Sequence, residues 1–198
     1  MKTNQEYKNM ALAALKGNWA PAVLCAVLYT VIACATSPGF IFILLVSYPL
    51  GVGYYNAHKN LLLTGNDALT SEMFRIGFNN WAHNMWGMFL MTIYAMLWML
   101  LLVVPGIIKL LAYSMTPYIL VDKPELSAKE AICLSQKMMK GHKWEFFCLS
   151  LSFAGWYVLG ILTIGIGFFW VMPNIYTTCA AYYQDIKAEY EAGTNSNN

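Results

Sequence analysis

MWGMFLMTIYAMLWMLLLVV, residues Met85 to Val104, decides the fold. It runs for 20 residues without a charge, and Thr92 is its one polar side chain. A helix needs about 20 apolar residues to cross roughly 30 Å of hydrocarbon. In lipid a helix is also the form that satisfies its backbone polar groups within one segment. Working outward, Pro105-Gly106 breaks the run, and Ile107 to Val121 follows as a shorter run of 15 residues that includes Lys109. Upstream lie Trp19 to Thr36, a Ser37-Pro38-Gly39 turn signal, and Phe40 to about Leu63. Downstream lie Phe146 to Leu162, a glycine-rich turn over Thr163 to Gly167, and Phe168 to Tyr183.

Composition agrees. The chain is 59% hydrophobic and 11% charged, where a soluble domain carries about 25% charge. The expectation is an all-α, polytopic transmembrane bundle of about six spans as three hairpins, with short amphipathic surface helices on the cytoplasmic side. It is one integral membrane domain over 1–198. Residues 1–18 form a surface helix, 19–183 the bundle with a cytoplasmic segment at 122–145, and 184–198 a polar tail that is disordered over its last residues, Gly193 to Asn198. A cleaved export signal ending near Ala33-Cys34-Ala35 is the rival reading of the first run. The long polar region before it and the span directly after it favour a retained helix.

Charge sets the orientation. With the N-terminus inside, 1–18, about 58–80, 122–145 and 184–198 face the cytoplasm and hold eleven of the 12 Lys and Arg residues and all 10 acidic ones. Only Lys109 lies toward the outer side, so both termini are expected inside a bacterial plasma membrane. Within 122–145, Ser127 and Glu130 have capping-box spacing. Ala128, Ala131, Ile132, Ser135, Met138 and Met139 then share one helical face. In the first segment Tyr7, Met10, Ala11 and Ala14 do the same.

Three segments lead into spans alike: Lys16-Gly17-Asn18-Trp19, Arg75-Ile76-Gly77-Phe78 before Trp81, and Lys140-Gly141-His142-Lys143-Trp144, their tryptophans 62 and 63 residues apart. Each return span carries one proline, Pro49, Pro117 or Pro173. A proline bends a membrane helix and frees a carbonyl that neighbours must satisfy.

No catalytic motif is present: no HExxH, GxSxG, P-loop or dinucleotide fingerprint. His58, His83 and His142 are scattered and are read as interfacial. No Asp or Glu lies in an apolar run. The five cysteines, Cys25, Cys34, Cys133, Cys148 and Cys179, form no CxxC pair and read as small buried hydrophobes. Lys109 is the one ionisable residue within a span, a functional-site candidate by position. It shares a face with Tyr113 and Thr116. Against that, Lys109 is near enough to the turn to reach headgroups. Lys137, Lys140, Lys143 and Trp144 form a basic cluster suited to anionic headgroups.

Val104-Pro105-Gly106-Ile107-Ile108-Lys109, Tyr113-Ser114-Met115, Pro117-Tyr118-Ile119-Leu120, Asp122 and Pro124-Glu125-Leu126-Ser127 resemble the central signature of domain-of-unknown-function family 975, a bacterial membrane-protein family. Glu130-Ala131-Ile132, Met139-Lys140-Gly141-His142-Lys143, Leu151-Ser152-Phe153-Ala154-Gly155-Trp156 and Leu162-Thr163-Ile164-Gly165-Ile166-Gly167 continue the likeness. Ser150 departs from it, since the family often has an acidic residue there. The resemblance implies a multi-span inner-membrane protein and supplies no activity, substrate or catalytic residue. A looser similarity to the membrane domain of some glycerophosphodiesterases hints at lipid-related work. The expected function is therefore a non-catalytic transport, lipid-handling or membrane-accessory role, with no cofactor, metal or nucleic acid. Its expected partners are membrane lipids and either a membrane protein or a second copy of the chain. A bacteriocin-immunity or partner-binding protein is the alternative, and an intramembrane enzyme comes third. A transporter would have a polar cavity around Lys109 and the prolines, whereas an accessory protein would have a closed core and a large apolar flank.

Overall fold

The computed structural model describes residues 2–37, 39–163 and 165–195, and among them it is helical with no strand. The expected turn residue Pro38, Ile164 of the second turn, and the last three residues lie outside the described set. In chain order the helices are α1 (Asn4–Leu15), α2 (Trp19–Thr36), α3 (Phe40–Phe42), a π-helical turn (Ile43–Ser47) and α4 (Tyr48–Thr64). Then come α5 (Leu69–Asn79), α6 (Trp81–Leu101), α7 (Val103–Tyr113), α8 (Thr116–Asp122) and α9 (Ala128–Met138). Last are α10 (Lys143–Leu151), α11 (Ala154–Leu162) and α12 (Phe168–Asn195).

Among the described residues four segments are long and apolar enough to cross a membrane: Trp19–Thr36, Trp81–Leu101, Val103–Asp122 and Lys143–Leu162. The other two expected runs are helical but are not among these four: the second is divided into α3, a π-helical turn and the 17-residue α4, and both α4 and α12 carry polar residues. α4 carries Asn56, His58 and Lys59, and α12 carries Asn174, Thr177 and Thr178, all of them buried. α4 and α12 pack on each other at the centre of the molecule, and α1, α2, α5, α6 and α8 are arranged around them. Polar helices sit where protein shelters them, and apolar helices are left on the outside.

Several boundaries differ from the sequence reading. The break between the third and fourth runs is at Leu102, in extended conformation, and not at Pro105-Gly106. Pro105 sits in the first turn of α7, where its missing N–H costs nothing. Gly106 brings the two arms together, since a Cβ there would lie 2.5 Å from Met99 Sδ. The polar tail expected from Asp185 is helical to Asn195, tied down by Lys2, whose ammonium donates to Asp185 at 2.6 Å and 2.7 Å, and by Tyr7, whose hydroxyl donates to the same carboxylate at 3.0 Å. The fifth run is two helices, α10 and α11, joined at Ser152 and Phe153.

Both surface helices begin with a capping box. In α9 the Ser127 hydroxyl accepts from the Glu130 N–H while the Glu130 carboxylate accepts from the Ser127 N–H at 2.7 Å. Hydrogen bonding to the Ser127 hydroxyl and to the Ser127 backbone N–H holds the Glu130 carboxyl below its ordinary range. α1 repeats the arrangement with Thr3 and Glu6, a pair not singled out from sequence. All six face residues of α9 are buried, as the spacing implies. In α1, Tyr7 and Ala11 of the expected face are buried together with Leu15, and Met10 and Ala14 are half-buried beside them.

The threefold pattern holds in two places. Gly17 and Gly141 adopt φ of 89° and 94° and break the chain before α2 and α10. Gly77 is inside α5, and its role is close approach: a Cβ there would lie 2.7 Å from the Pro49 carbonyl oxygen. Gly53 faces it from α4, where a Cβ would lie 1.9 Å from the Met73 carbonyl oxygen. Small residues let two backbones pack at this range.

Candidate functional site

At one end of α4 and α8 three charges converge. Lys59 is buried, 5% exposed, and its ammonium donates to Asp122 Oδ1. Asp122 Oδ2 accepts from Lys187 at 2.7 Å and from the Tyr183 hydroxyl at 2.9 Å. α4, α8 and α12 each contribute a member. An isolated buried charge is costly, and pairing with added hydrogen bonds is how proteins tolerate one. One carboxylate here serves two cations and a phenol, so the cluster ties three helices at a point.

A run of aromatic rings leads away from it. Tyr183 stacks on Tyr118 at 4.8 Å, and Tyr118 meets Tyr55 edge-on at 5.7 Å. Tyr55 and Tyr54 each meet Tyr176 edge-on at 4.8 Å, and Tyr54 stacks on Tyr29 at 4.7 Å. Such contacts contribute about 0.5–1.5 kcal/mol each beyond area burial. The far end of the run opens into a cavity of about 300 Å³ between α2, α4 and α12. Its lining is Ala26, Tyr29, Thr30, Tyr54, Gly165, Phe168, Phe169, Met172 and Tyr176. No charged residue lines it. No hydrogen bond engages the hydroxyls of Tyr29 or Tyr54 among the described residues.

The backbone groups freed by the breaks find partners. Pro49 has no N–H for the Leu45 carbonyl, and the Trp81 indole donates to that carbonyl at 2.7 Å. Near the α7–α8 break the Ser135 hydroxyl donates to the Ala112 carbonyl at 2.8 Å. The Asn56 amide donates to the Pro117 carbonyl at 2.9 Å. Pro49 and Pro117 both stand in the first turn of a helix directly after an interruption, while Pro173 lies inside the continuous α12.

The residues singled out from sequence do not form one site. Lys109 donates to Gln136 of α9 at 3.1 Å and lies 4.8 Å from the centre of a Trp98 ring. Its neighbour is therefore the 122–145 segment, because α9 lies back against α7. Tyr113 is buried with Ala95, Ala112 and Ile132. The Thr116 hydroxyl is buried without a partner, and no contact joins it to Lys109 among the described residues. The basic cluster is divided. Lys137 and Lys140 border a hollow of about 450 Å³ with His142 and Glu189. Lys143 and Trp144 border another of about 480 Å³ with Val104, Ile107, Ile108, Leu111 and Phe147.

Two residue readings are corrected. His58 is fully buried rather than interfacial, its ring 4.5 Å from Tyr54 and its Nδ1 3.0 Å from the Tyr54 carbonyl. Of the cysteines only Cys25 is buried, while Cys34 and Cys133 are exposed because their helices turn those faces outward. Among the described residues no three His, Cys, Asp or Glu side chains converge on a metal position.

The sequence reading missed the Lys59–Asp122–Lys187 cluster and the tyrosine run. The available signal was the polar face Tyr54, Tyr55, His58 and Lys59 at the end of an apolar run, together with Asp122 inside the resembling motif. The family described as protein of unknown function (DUF975) matches residues 40–190. No curated protein and no solved structure matches the chain.

Proposed function

The chain belongs to the DUF975 family, a membership that names no activity, and from the geometry we propose a multi-pass membrane protein that holds a lipid or small amphiphile without chemically transforming it. The observation that carries this reading is the side cavity of about 300 Å³ between α2, α4 and α12, aromatic and uncharged. Ligand sites begin at this size and are mostly apolar with a few polar groups. Elsewhere in the bundle some polar groups are engaged with one another, Lys59, Lys187 and Tyr183 with Asp122, Ser135 with Ala112, and the Asn56 amide N–H with Pro117, while Asn56 Oδ1, His58 Nε2, Asn84 Oδ1, Thr116 Oγ1 and Asn174 Oδ1 are buried without a hydrogen-bond partner among the described residues. None of those unpartnered atoms belongs to a residue lining the cavity, whose mostly apolar walls favour lipid handling over transport of a polar solute, and no constellation suited to catalysis lines it.

In this reading the chain crosses a bacterial plasma membrane six times with both termini in the cytoplasm. The lysine distribution supports this, and the sheltered positions of α4 and α12 account for the polar residues they carry; the hollow that Lys143 and Trp144 share with Val104, Ile107 and Ile108, which this topology puts on opposite faces, counts against it. A second reading, partner binding or bacteriocin immunity, is favoured by the bare tip of the α6–α7 hairpin, where Leu100 is 83% exposed and Val104 68%.

Native mass spectrometry after purification in a mild, uncharged detergent tests the reading. A lipid retained at one per chain is expected. A chain that carries no lipid but a stoichiometric partner protein overturns it in favour of the second reading. For the topology, a reporter active only in the cytoplasm, fused after Asn198, is expected to be active; a dark fusion overturns the six-span arrangement.

A further inference from the structure

We propose that the side cavity recognises a quaternary ammonium group, held by cation–π attraction, which deepens the reading that this cavity holds an amphiphile by naming the ligand chemistry. Its walls supply five aromatic rings, Tyr29, Tyr54, Phe168, Phe169 and Tyr176, with the polarisable thioether of Met172. Ring faces carry negative electrostatic potential and attract weakly hydrated cations, most strongly where water is excluded. Tyr54 presents two different aspects to its neighbours, since it stacks on Tyr29 at 14° and meets Tyr176 at 83°. That arrangement makes a corner of rings rather than a flat wall.

The charge pattern excludes the opposite ligand. No lysine or arginine lines the cavity, so an anion there would be desolvated with no opposite charge to compensate it. A compact primary ammonium would lose strong hydration for few hydrogen bonds. A quaternary ammonium has no donors to satisfy and little hydration to lose. The Tyr29 and Tyr54 hydroxyl oxygens, unengaged among the described residues, add negative dipole ends. The cavity also starts at the right depth. Gly165 lies in the turn before α12, at the end of the bundle, and Tyr176 lies eight residues past Phe168, the first residue of that helix, about 12 Å along it. A quaternary ammonium seated in the corner of Tyr29, Tyr54 and Tyr176, with an alkyl chain running along the cavity toward the turn, fits that span. The same group is offered by a phosphocholine headgroup or by a free quaternary amine.

Binding is measured by calorimetry on the full chain in an uncharged detergent, with choline, its neutral isostere 3,3-dimethylbutanol, and a short-chain phosphatidylcholine as probes. Choline is expected to bind roughly threefold to thirtyfold more tightly than the isostere, the range one cation–π contact supplies. Phosphatidylcholine binding without choline binding assigns the site to the lipid headgroup and supports the proposal; choline binding alone assigns it to a free cation and supports it equally. Tyr54→Phe is expected to keep the preference, and Tyr54→Leu to weaken cation binding about threefold or more. Phe169→Leu, at the half-buried rim, gives the same answer if Tyr54→Leu fails to fold. Equal binding of the isostere, or an unchanged preference in folded Phe169→Leu, overturns the proposal. Lipid retained on purification without any cation preference leaves the holding role and removes only this ligand class.

Discussion

Removing the Asp122 carboxylate strands two ammonium groups, one of them almost wholly buried. Lys59 would then sit in the bundle with no counter-charge, and the loss of one member of a buried pair costs about 3–5 kcal/mol. Asp122→Ala is expected to destabilise the folded chain by that order in thermal unfolding followed by tryptophan fluorescence. Lys187→Ala is expected to cost less, because its side chain is 29% exposed against 6% for Lys59. Replacing both core members, Lys59→Met with Asp122→Leu, is expected to recover most of the loss. An Asp122→Ala chain as stable as the parent would show that the cluster is not what ties α4, α8 and α12. The pairing of these three charges was not readable in advance. Lys59, Asp122 and Lys187 are 63 and 65 residues apart, and in the sequence each registers only as a charge on the cytoplasmic side. Which cation reaches which carboxylate is decided by helix packing.

Helices show the opposite balance. The face of α9 was fully legible, because Ser127 and Glu130 fix its start and period 3.6 fixes its buried side. The long apolar runs were legible for the same reason. What escaped was the role of single small residues. Gly77 reads in the sequence as a break like Gly17 and Gly141, yet it stays helical and lets α5 lie against α4. Gly53→Ala and Gly77→Ala are each expected to force the two backbones apart at about 1–3 kcal/mol, the range of overpacking a filled contact. Chemical denaturation in detergent micelles measures this. Gly65→Ala, where a Cβ meets nothing within 4 Å but φ is +67°, serves as a control for backbone strain without a clash. The break at Leu102 escaped too, since Pro105-Gly106 is the stronger punctuation, and only the structure shows that proline starting a helix and the glycine closing the hairpin.

Across the whole molecule, hydropathy and position are inverted from what a soluble protein shows. The two most polar long helices, α4 and α12, form the centre, and the exposed surface is the leucine-rich hairpin of α6 and α7 with α11. The sequence gives the number of runs and the side on which the lysines lie, but a run that is polar because it is enclosed looks the same as one that is marginal. The position of α12 has a consequence for synthesis. Asn56, His58 and Lys59 emerge early, while the helix that covers them is the last to be made. Between those moments Asn56 and Lys59 can reach Pro117 and Asp122 of α8, but the face of α4 that α12 covers stays bare, and the bundle closes only when the final segment arrives. A chain ended at Gly167 is expected to insert and then be degraded, with a half-life in cells well below that of the full chain in a pulse–chase experiment. α12 supplied as a separate polypeptide is expected to rescue it. Assembly of this protein is thus gated by its last helix, and quality control in the membrane has one polar surface to watch until that helix docks.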